Sequence, residues 1–167
     1  AWPIEASRLE AYMEKAMREA KRNTNWIEPD TAYEDRVKAF CRKLYEHRPF
    51  LSDFEPFAAE VARAGERATS GQLLLKLTVP GVPNIYQGDE LLSLALVDPD
   101  NRRPVDWMRR RALLAEVADG AAPTDETRKL QLIVSALALR ASRPDAFTGS
   151  YEPVDVGPDA CAFIRGG

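Results

Sequence analysis

The stretch PGVPNIYQGDELLSLALVDPDNRRPVDW, residues 80–107, is the part of this chain that most constrains its fold. Its prolines and glycines lie on both sides of a short β-prone core, Ile85 and Tyr86. Because proline and glycine favour turns while isoleucine and tyrosine favour strands, the pattern predicts one short buried strand between two turns. We expect Tyr86 to face the core and to hydrogen-bond through its hydroxyl at the rim.

Polar side chains follow this core in two groups. Each sugar hydroxyl both donates and accepts hydrogen bonds, so fixed amides, carboxylates and guanidinium groups suit a polyol substrate. The sequence therefore predicts a substrate-binding set at the strand exit and in the loop flanked by prolines. Its members are Gln87, Asp89, Glu90, Asp98, Asp100, Asn101, Arg102 and Arg103.

Both groups also have a simpler structural interpretation. Asp89 and Glu90 are adjacent, so in extended backbone they point to opposite faces and cannot form a retaining pair of carboxyl groups about 5–5.5 Å apart. The alternative for this pair is a role in sealing a rim or holding a neighbouring loop. For residues 98–103 the alternative is a turn held by local hydrogen bonds and surface ion pairs, although the flanking prolines favour a preorganised binding loop.

Three further residues have side chains capable of a chemical role outside this motif. Trp26 follows a predicted helix, where it either packs as a cap or stacks on a pyranose ring. His47 and Lys76 are interpreted as structural or exposed. No residue of this chain is predicted to be catalytic.

The composition argues against several functions. A net charge of −3 and a pI near 5.3 provide no field that attracts nucleic acid or an anionic membrane. No apolar run approaches the roughly 18 residues of a membrane span, and the first residues lack the order of a signal peptide, so we expect a cytoplasmic protein. Cys41 and Cys161 are too few for a disulfide framework or a metal site. No metal or organic cofactor is expected.

Hydrophobic periodicity predicts a mostly helical chain. Capping boxes at Ser7, Thr31 and Ser52 open the first helices, and Gly65 and Gly71 are expected to interrupt the third. The predicted helices cover residues 8–23, 31–47, 52–61, 72–78, 108–118 and 124–143. From Phe147 onward the pattern changes to short strands separated by glycine and proline.

The motif of residues 80–107 resembles the eighth strand and following loop of the α-amylase superfamily, where PGxPxIYxGxE leads into DPxxR. PGVPNIYQGDE followed by LVDPDNRRPVDW is most similar to the maltooligosyltrehalose synthase family of glycoside hydrolase family 13. Residues 8–34, 50–65 and 72–81 support that narrower choice, so the resemblance covers nearly the whole chain.

The resemblance implies the C-terminal part of a (β/α)8 barrel, residues 1–144, followed by the start of an appended β-domain, residues 145–167. It implies an intramolecular transglucosylase that turns the reducing-end α-1,4 linkage of a maltooligosaccharide into an α,α-1,1 linkage. The GxRxD and NHD motifs, which accompany the superfamily's catalytic carboxylates, do not occur in this sequence. The chain alone is therefore expected to be inactive, and a partial barrel is expected to self-associate.

Two alternatives remain open at this point. The same strand-eight pattern occurs in other hydrolases and transglycosylases of the superfamily. A non-catalytic helical module that binds a partner through its acidic face is a further possibility from a different class.

Overall fold

The computed structural model describes residues 4–96 and 100–166, and within them the chain is mostly helical. The elements in chain order are α1 (Ala6–Ala20), α2 (Thr31–Glu46), α3 (Arg48–Thr78), a 3-10 turn (Asp100–Arg102), α4 (Trp107–Ala118), α5 (Arg128–Ser142), α6 (Pro144–Thr148), β1 (Tyr151–Val154) and β2 (Ala162–Arg165). No helix in the described ranges is both long and apolar enough to cross a membrane.

The chain divides into two compact units. The first unit contains the residues up to Gly65 together with Leu94–Pro104. The second unit contains Glu66–Ser93 and the residues from Val105 onward. The long helix α3 contributes its first part to the first unit and its last part to the second. The predicted domain boundary near residue 144 stays a prediction.

In the first unit, α1 packs against α2 around buried Met17 and Cys41. A buried polar cluster lies beside this contact. Glu34 of α2, only 2% exposed, accepts hydrogen bonds from Arg18 Nε at 2.9 Å, Arg18 Nη2 at 2.7 Å and Thr24 Oγ1 at 2.6 Å. These partners satisfy a carboxylate that would otherwise be costly to bury. The cluster ties α2 to α1 and to the connection between them.

This cluster makes the first unit sensitive to acid. The hydrogen bonds from Arg18 and Thr24 lower the pKa of Glu34 from its usual 4.5 to about 2. A lowered carboxyl pKa stabilises the folded state above the unfolded pKa, and the contribution is lost as pH falls from about 4.5 through 2. We expect Glu34→Gln to reduce the fall in stability over this range, as measured by urea unfolding at several pH values. If the free energy of unfolding falls with pH equally steeply in Glu34→Gln and in the unsubstituted chain, Glu34 does not couple folding to pH.

The second unit has two apolar clusters that share α5. Leu73 and Leu77 of α3 pack with Ile133 and Ala136 of α5. Leu113 and Val117 of α4 pack with Leu91 and with Leu130 of α5. Arg140 adds a polar tie, because its guanidinium donates to the carbonyl of Leu77 at 3.0 Å and to that of Gly81 at 3.1 Å. The end of α3 and the following turn are thereby fixed to α5.

Most of the predicted helices are confirmed, but their starting signals are not. The N-cap of α1 is Glu5, without a side-chain cap bond, and Ser7 lies inside the helix. The N-cap of α2 is Asp30, which accepts from Tyr33 N at 2.9 Å. Helix α5 begins at Arg128 rather than at Thr124, because Thr124 and Thr127 bond each other in a preceding turn. Capping boxes therefore located these helices only approximately.

The predicted break at Gly65 and Gly71 is wrong, because α3 is continuous over its 31 residues. An interior glycine weakens a helix without forbidding it. A Cβ added at either glycine would meet nothing within 4 Å. We expect Gly65→Ala and Gly71→Ala each to stabilise the protein by about 0.8–1.0 kcal/mol, measured by urea unfolding. Destabilisation by both substitutions would contradict a continuous helix.

The strand predicted at Ile85 and Tyr86 is also not formed, since residues 82–86 belong to no strand. A strand needs a neighbour that completes its hydrogen-bond ladder, and β1 and β2, the strands of the described ranges, pair with each other. Ile85 instead packs against the Leu73–Ile133 cluster. Tyr86 is 52% exposed rather than facing the core.

The strands predicted beyond Phe147 are confirmed in part. β1 and β2 form an antiparallel pair, with Tyr151 opposite Arg165 and Val154 opposite Ala162. Phe147 itself lies in the short helix α6, where its ring covers the guanidinium of Arg140 at 4.6 Å. Aromatic residues are typical of strands, which is why the sequence pattern favours a strand at Phe147. In the structure its cation–π contact with Arg140 stabilises the helical position instead.

Candidate functional site

The predicted substrate-binding residues fall into both compact units. Gln87, Asp89 and Glu90 lie in the second unit, whereas Asp100, Asn101, Arg102 and Arg103 lie in the first. Asp98 lies outside the described residues. The two groups are therefore described separately as the acidic turn, residues 87–90, and the loop 100–103.

The acidic turn is held by α4. Arg110 Nη2 donates to the carbonyl of Gly88 at 2.6 Å, and Arg110 Nε donates to Glu90 Oε2 at 3.2 Å. Gly88 has φ +90°, and a Cβ there would approach Val105 Cγ2 to 3.1 Å. A residue with a side chain would be strained by both the dihedral and the contact. Glycine and Arg110 together fix the shape of this turn.

Two side chains of the acidic turn remain available to a ligand. Gln87 is exposed and Asp89 is half-buried, and neither side chain has a hydrogen-bond partner among the described residues. Lys129 lies nearby and donates to the carbonyl of Leu91 at 3.1 Å. Burial lowers the pKa of Lys129, and the charge of Asp89 opposes that change. The turn thus presents an amide and a carboxylate beside an ammonium group, which suits binding of hydroxyls.

A cavity of about 300 Å³ opens beside the acidic turn. Its walls are Glu90, Trp107, Arg110, Arg111, Leu114 and Leu130. Trp107 is 51% exposed and ends the PVDW part of the opening motif. Neither Trp107 nor Arg110 belongs to the substrate-binding set predicted from the sequence. Trp107 and Arg110 are three positions apart, and residues with this spacing lie on the same face of a helix. This spacing could have identified them as neighbours from the sequence.

The loop 100–103 is built around a nearly buried carboxylate. Asp100 Oδ1 accepts from Arg8 Nε at 2.9 Å, and Asp100 Oδ2 accepts from Arg8 Nη2 at 2.8 Å and from Leu96 N at 2.8 Å. Arg103 Nε lies 3.2 Å from Oδ1 and donates to the Asp100 carbonyl at 3.0 Å. The hydrogen bond from Arg8 is the main cause that lowers the pKa of Asp100 to about 2. Asp100 is therefore an ionised brace.

This arrangement separates the roles of the loop residues. Both oxygens of Asp100 are already engaged and its side chain is 8% exposed, which leaves little capacity for a sugar. Asn101, Arg102 and Arg103 are exposed. The structure thus favours the bracing alternative for Asp100 and leaves Asn101 and Arg103 as the better-placed candidates. Sugar contact by the loop stays a prediction.

Neither group resembles a metal centre or a catalytic dyad. Within residues 4–96 and 100–166, histidine, cysteine and carboxylate side chains form no cluster of three that could hold a metal ion. The charged side chains that bind each other here are arginine–carboxylate pairs such as Arg8–Asp100 and Arg110–Glu90. Chemically, the described arrangement can orient hydroxyl groups.

Comparison with known proteins gives a consistent result. No family profile matches the chain. A Mycobacterium tuberculosis protein described as a putative maltooligosyl trehalose synthase is 38% identical over 177 residues, which covers 99% of this chain and 22% of that protein. The structure of maltooligosyltrehalose synthase from Arthrobacter ramosus matches 99% of this chain with 40% identity and a TM-score of 0.86, and 23% of that protein is covered.

A second solved structure supports the same grouping. The hypothetical maltooligosyl trehalose synthase of Sulfolobus tokodaii is 31% identical, with a TM-score of 0.83, over 96% of this chain and 22% of that protein. The chain thus spans about a fifth of the length of these relatives. In sequence and in fold, the chain is similar to one segment of these maltooligosyltrehalose synthases.

Proposed function

We propose that this chain is the C-terminal part of the catalytic (β/α)8 barrel of a maltooligosyltrehalose synthase, with the start of a β-domain after residue 144. The observation that carries the proposal is the match of 99% of the chain to a maltooligosyltrehalose synthase at 40% identity and a TM-score of 0.86. In this proposal the segment 82–86 becomes a barrel strand when neighbouring strands are present. The exposure of Tyr86 in this chain supports that role, because a barrel would cover it.

The reaction proposed for the parent enzyme is an intramolecular transglucosylation. An upstream aspartate attacks the reducing-end α-1,4 linkage and forms a glycosyl-enzyme intermediate. The freed glucose returns through its own anomeric hydroxyl, and the product carries an α,α-1,1 linkage. Water must be excluded meanwhile, since it would otherwise release glucose. No metal or organic cofactor takes part in this scheme.

In this scheme the described residues hold sugars rather than break bonds. Gln87 and Asp89 offer polar groups that have no hydrogen-bond partner within residues 4–96 and 100–166, while Arg110 keeps the acidic turn in place. Arg103 offers exposed donors on a loop that Asp100 and Arg8 fix. Each contact would bind hydroxyls in one orientation, which favours return of glucose over attack by water. The cytoplasmic location and self-association of the chain also stay predictions.

The isolated chain is expected to have no activity on maltopentaose, because catalysis depends on carboxylates that its sequence lacks. The measurement compares the chain with the longer enzyme containing it, scoring loss of reducing ends and appearance of a trehalosyl product. The longer enzyme should form the product and the chain should not. Turnover by the purified chain that disappears in Asp89→Asn would contradict this assignment. A longer enzyme that only increases reducing ends would instead indicate a hydrolase.

A further inference from the structure

A second pocket lies in the first unit, among residues that neither the motif nor the proposed reaction uses. It has a volume of about 480 Å³ and is lined by Lys21, Asn25, Trp26, Ile27 and Glu28. Pockets for small ligands start at about 300 Å³, so this one has room for a glucosyl unit. All of its lining residues belong to the connection between α1 and α2.

The pocket contains an aromatic ring that is fixed and still open. The guanidinium carbon of Arg18 lies 4.9 Å from the centre of the Trp26 ring, so one face is covered by a cation–π contact. The indole Nε1 donates to Glu19 Oε1 at 3.0 Å. Arg18 is itself held by Glu34 at 2.7 Å. Even so, 52% of Trp26 is exposed.

The backbone around the ring is equally constrained. Asn25 Oδ1 accepts from the backbone N–H groups of Ile27 and Glu28, each at 2.8 Å. Lys21 has φ +53°, the left-handed conformation that ends α1. A tryptophan held by its neighbours loses little conformational entropy when a ligand stacks on it. The ring is therefore preorganised as a flat binding surface.

The polar groups of the pocket are available. The side chains of Lys21 and Glu28 are exposed and have no partner among the described residues. They provide donors and an acceptor next to an apolar ring face. A pyranose has the complementary surface, since its axial C–H groups form an apolar face and its hydroxyls form a polar edge. An ammonium and a carboxylate together also leave no net charge to select an ionic ligand.

From this geometry we propose that the pocket at Trp26 binds a glucosyl unit of an α-1,4-glucan, by stacking on the indole and by hydrogen bonds to Lys21 and Glu28. The choice of glucan rests on the proposed function. This glucosyl pocket is separate from the acidic turn and from the loop 100–103. It gives the enzyme an additional contact with its polymeric substrate, and its loss should weaken binding without removing a reacting group.

The test uses the longer enzyme labelled with 5-fluorotryptophan. Trp26→Phe identifies the fluorine signal of Trp26, and Trp107→Phe identifies that of Trp107, which separately reports the cavity beside the acidic turn. Titration with maltopentaose should shift the Trp26 signal in a saturable manner, whereas sorbitol, which has no ring face, should not shift it. Trp26→Ala should raise the Kd for maltopentaose about five- to tenfold. Lys21→Met, which keeps the aliphatic stem, should raise it several-fold.

The outcomes separate this inference from the proposed function. If the folded enzyme forms the trehalosyl product but maltopentaose does not shift the Trp26 signal, the proposal of a glucosyl pocket is wrong and the proposed function stands. The same conclusion follows if the Trp26 ring is covered by the rest of the longer chain, shown by resistance of its signal to a soluble quencher. If the enzyme does not isomerise maltopentaose but the Trp26 signal still shifts, the proposed function fails and the pocket remains.

Discussion

Replacing Arg8 by alanine is expected to destabilise the first unit by about 2–4 kcal/mol, because it leaves Asp100 as a nearly buried charge without its main partner. Arg8 makes two hydrogen bonds to Asp100 and a third to the carbonyl of Leu94 at 2.8 Å. The side chains of Arg8 and Asp100 are only 18% and 8% exposed, so water cannot replace these bonds easily. Urea unfolding of Arg8→Ala against the unsubstituted chain measures the loss.

A double-mutant cycle provides the control for this prediction. Arg8→Ala combined with Asp100→Ala should be less destabilising than the sum of the two single changes, since removing both partners leaves no unpaired charge. Arg8→Lys should destabilise the chain less than Arg8→Ala does. Lysine keeps the positive charge, but it cannot bind both carboxylate oxygens in one plane. Strict additivity across the cycle would contradict the role of Asp100 as a brace.

Arg103→Ala in the longer enzyme is expected to shift the products toward free glucose while leaving stability nearly unchanged. The Arg103 side chain is 52% exposed, so its ion pair with Asp100 contributes little to folding. A lost charge-assisted hydrogen bond to the sugar is worth about 1.5–3 kcal/mol, or roughly 10- to 150-fold in retention of the cleaved glucose. Chromatography of glucose and trehalosyl product measures this ratio.

The matched control for this prediction is Asp100→Ala. It should lower the melting temperature and disorganise the loop, so it should change both stability and product ratio. Arg103→Ala should change the ratio alone. If both variants lose stability while the glucose fraction per folded molecule stays at the parental level, the loop is only a brace and sugar contact by Arg103 is wrong.

The helices could be predicted from sequence because apolar periodicity depends only on local spacing. Their ends could not, since a cap depends on which neighbouring group reaches the free backbone N–H. Ser7 and Thr31 fit the capping pattern, yet Glu5 and Asp30 occupy the cap positions. Gly65 and Gly71 predicted a break in α3. The low helix propensity of glycine alone is not sufficient to interrupt this 31-residue helix.

The types of residue at the candidate site could be read from the sequence, but the residues that hold them in place could not. Asp100 is bound by Arg8, which lies 92 positions away in the sequence, and no local pattern connects the two. The acidic turn likewise depends on Arg110, 20 positions from Glu90. Residues 82–86 show the opposite limit. Their strand-like pattern requires a neighbouring strand, and none of the described residues pairs with them.

The proposed transfer of glucose within one substrate molecule is tested most directly by incubating the longer enzyme with maltopentaose in water enriched in oxygen-18. Mass spectrometry and proton NMR then follow the pentasaccharide. Intramolecular transglucosylation predicts a pentasaccharide of unchanged mass that has lost its reducing end and gained an α,α-1,1 anomeric signal, with little label. Maltotetraose and glucose as the main products, with oxygen-18 in the newly formed reducing end, would contradict the account.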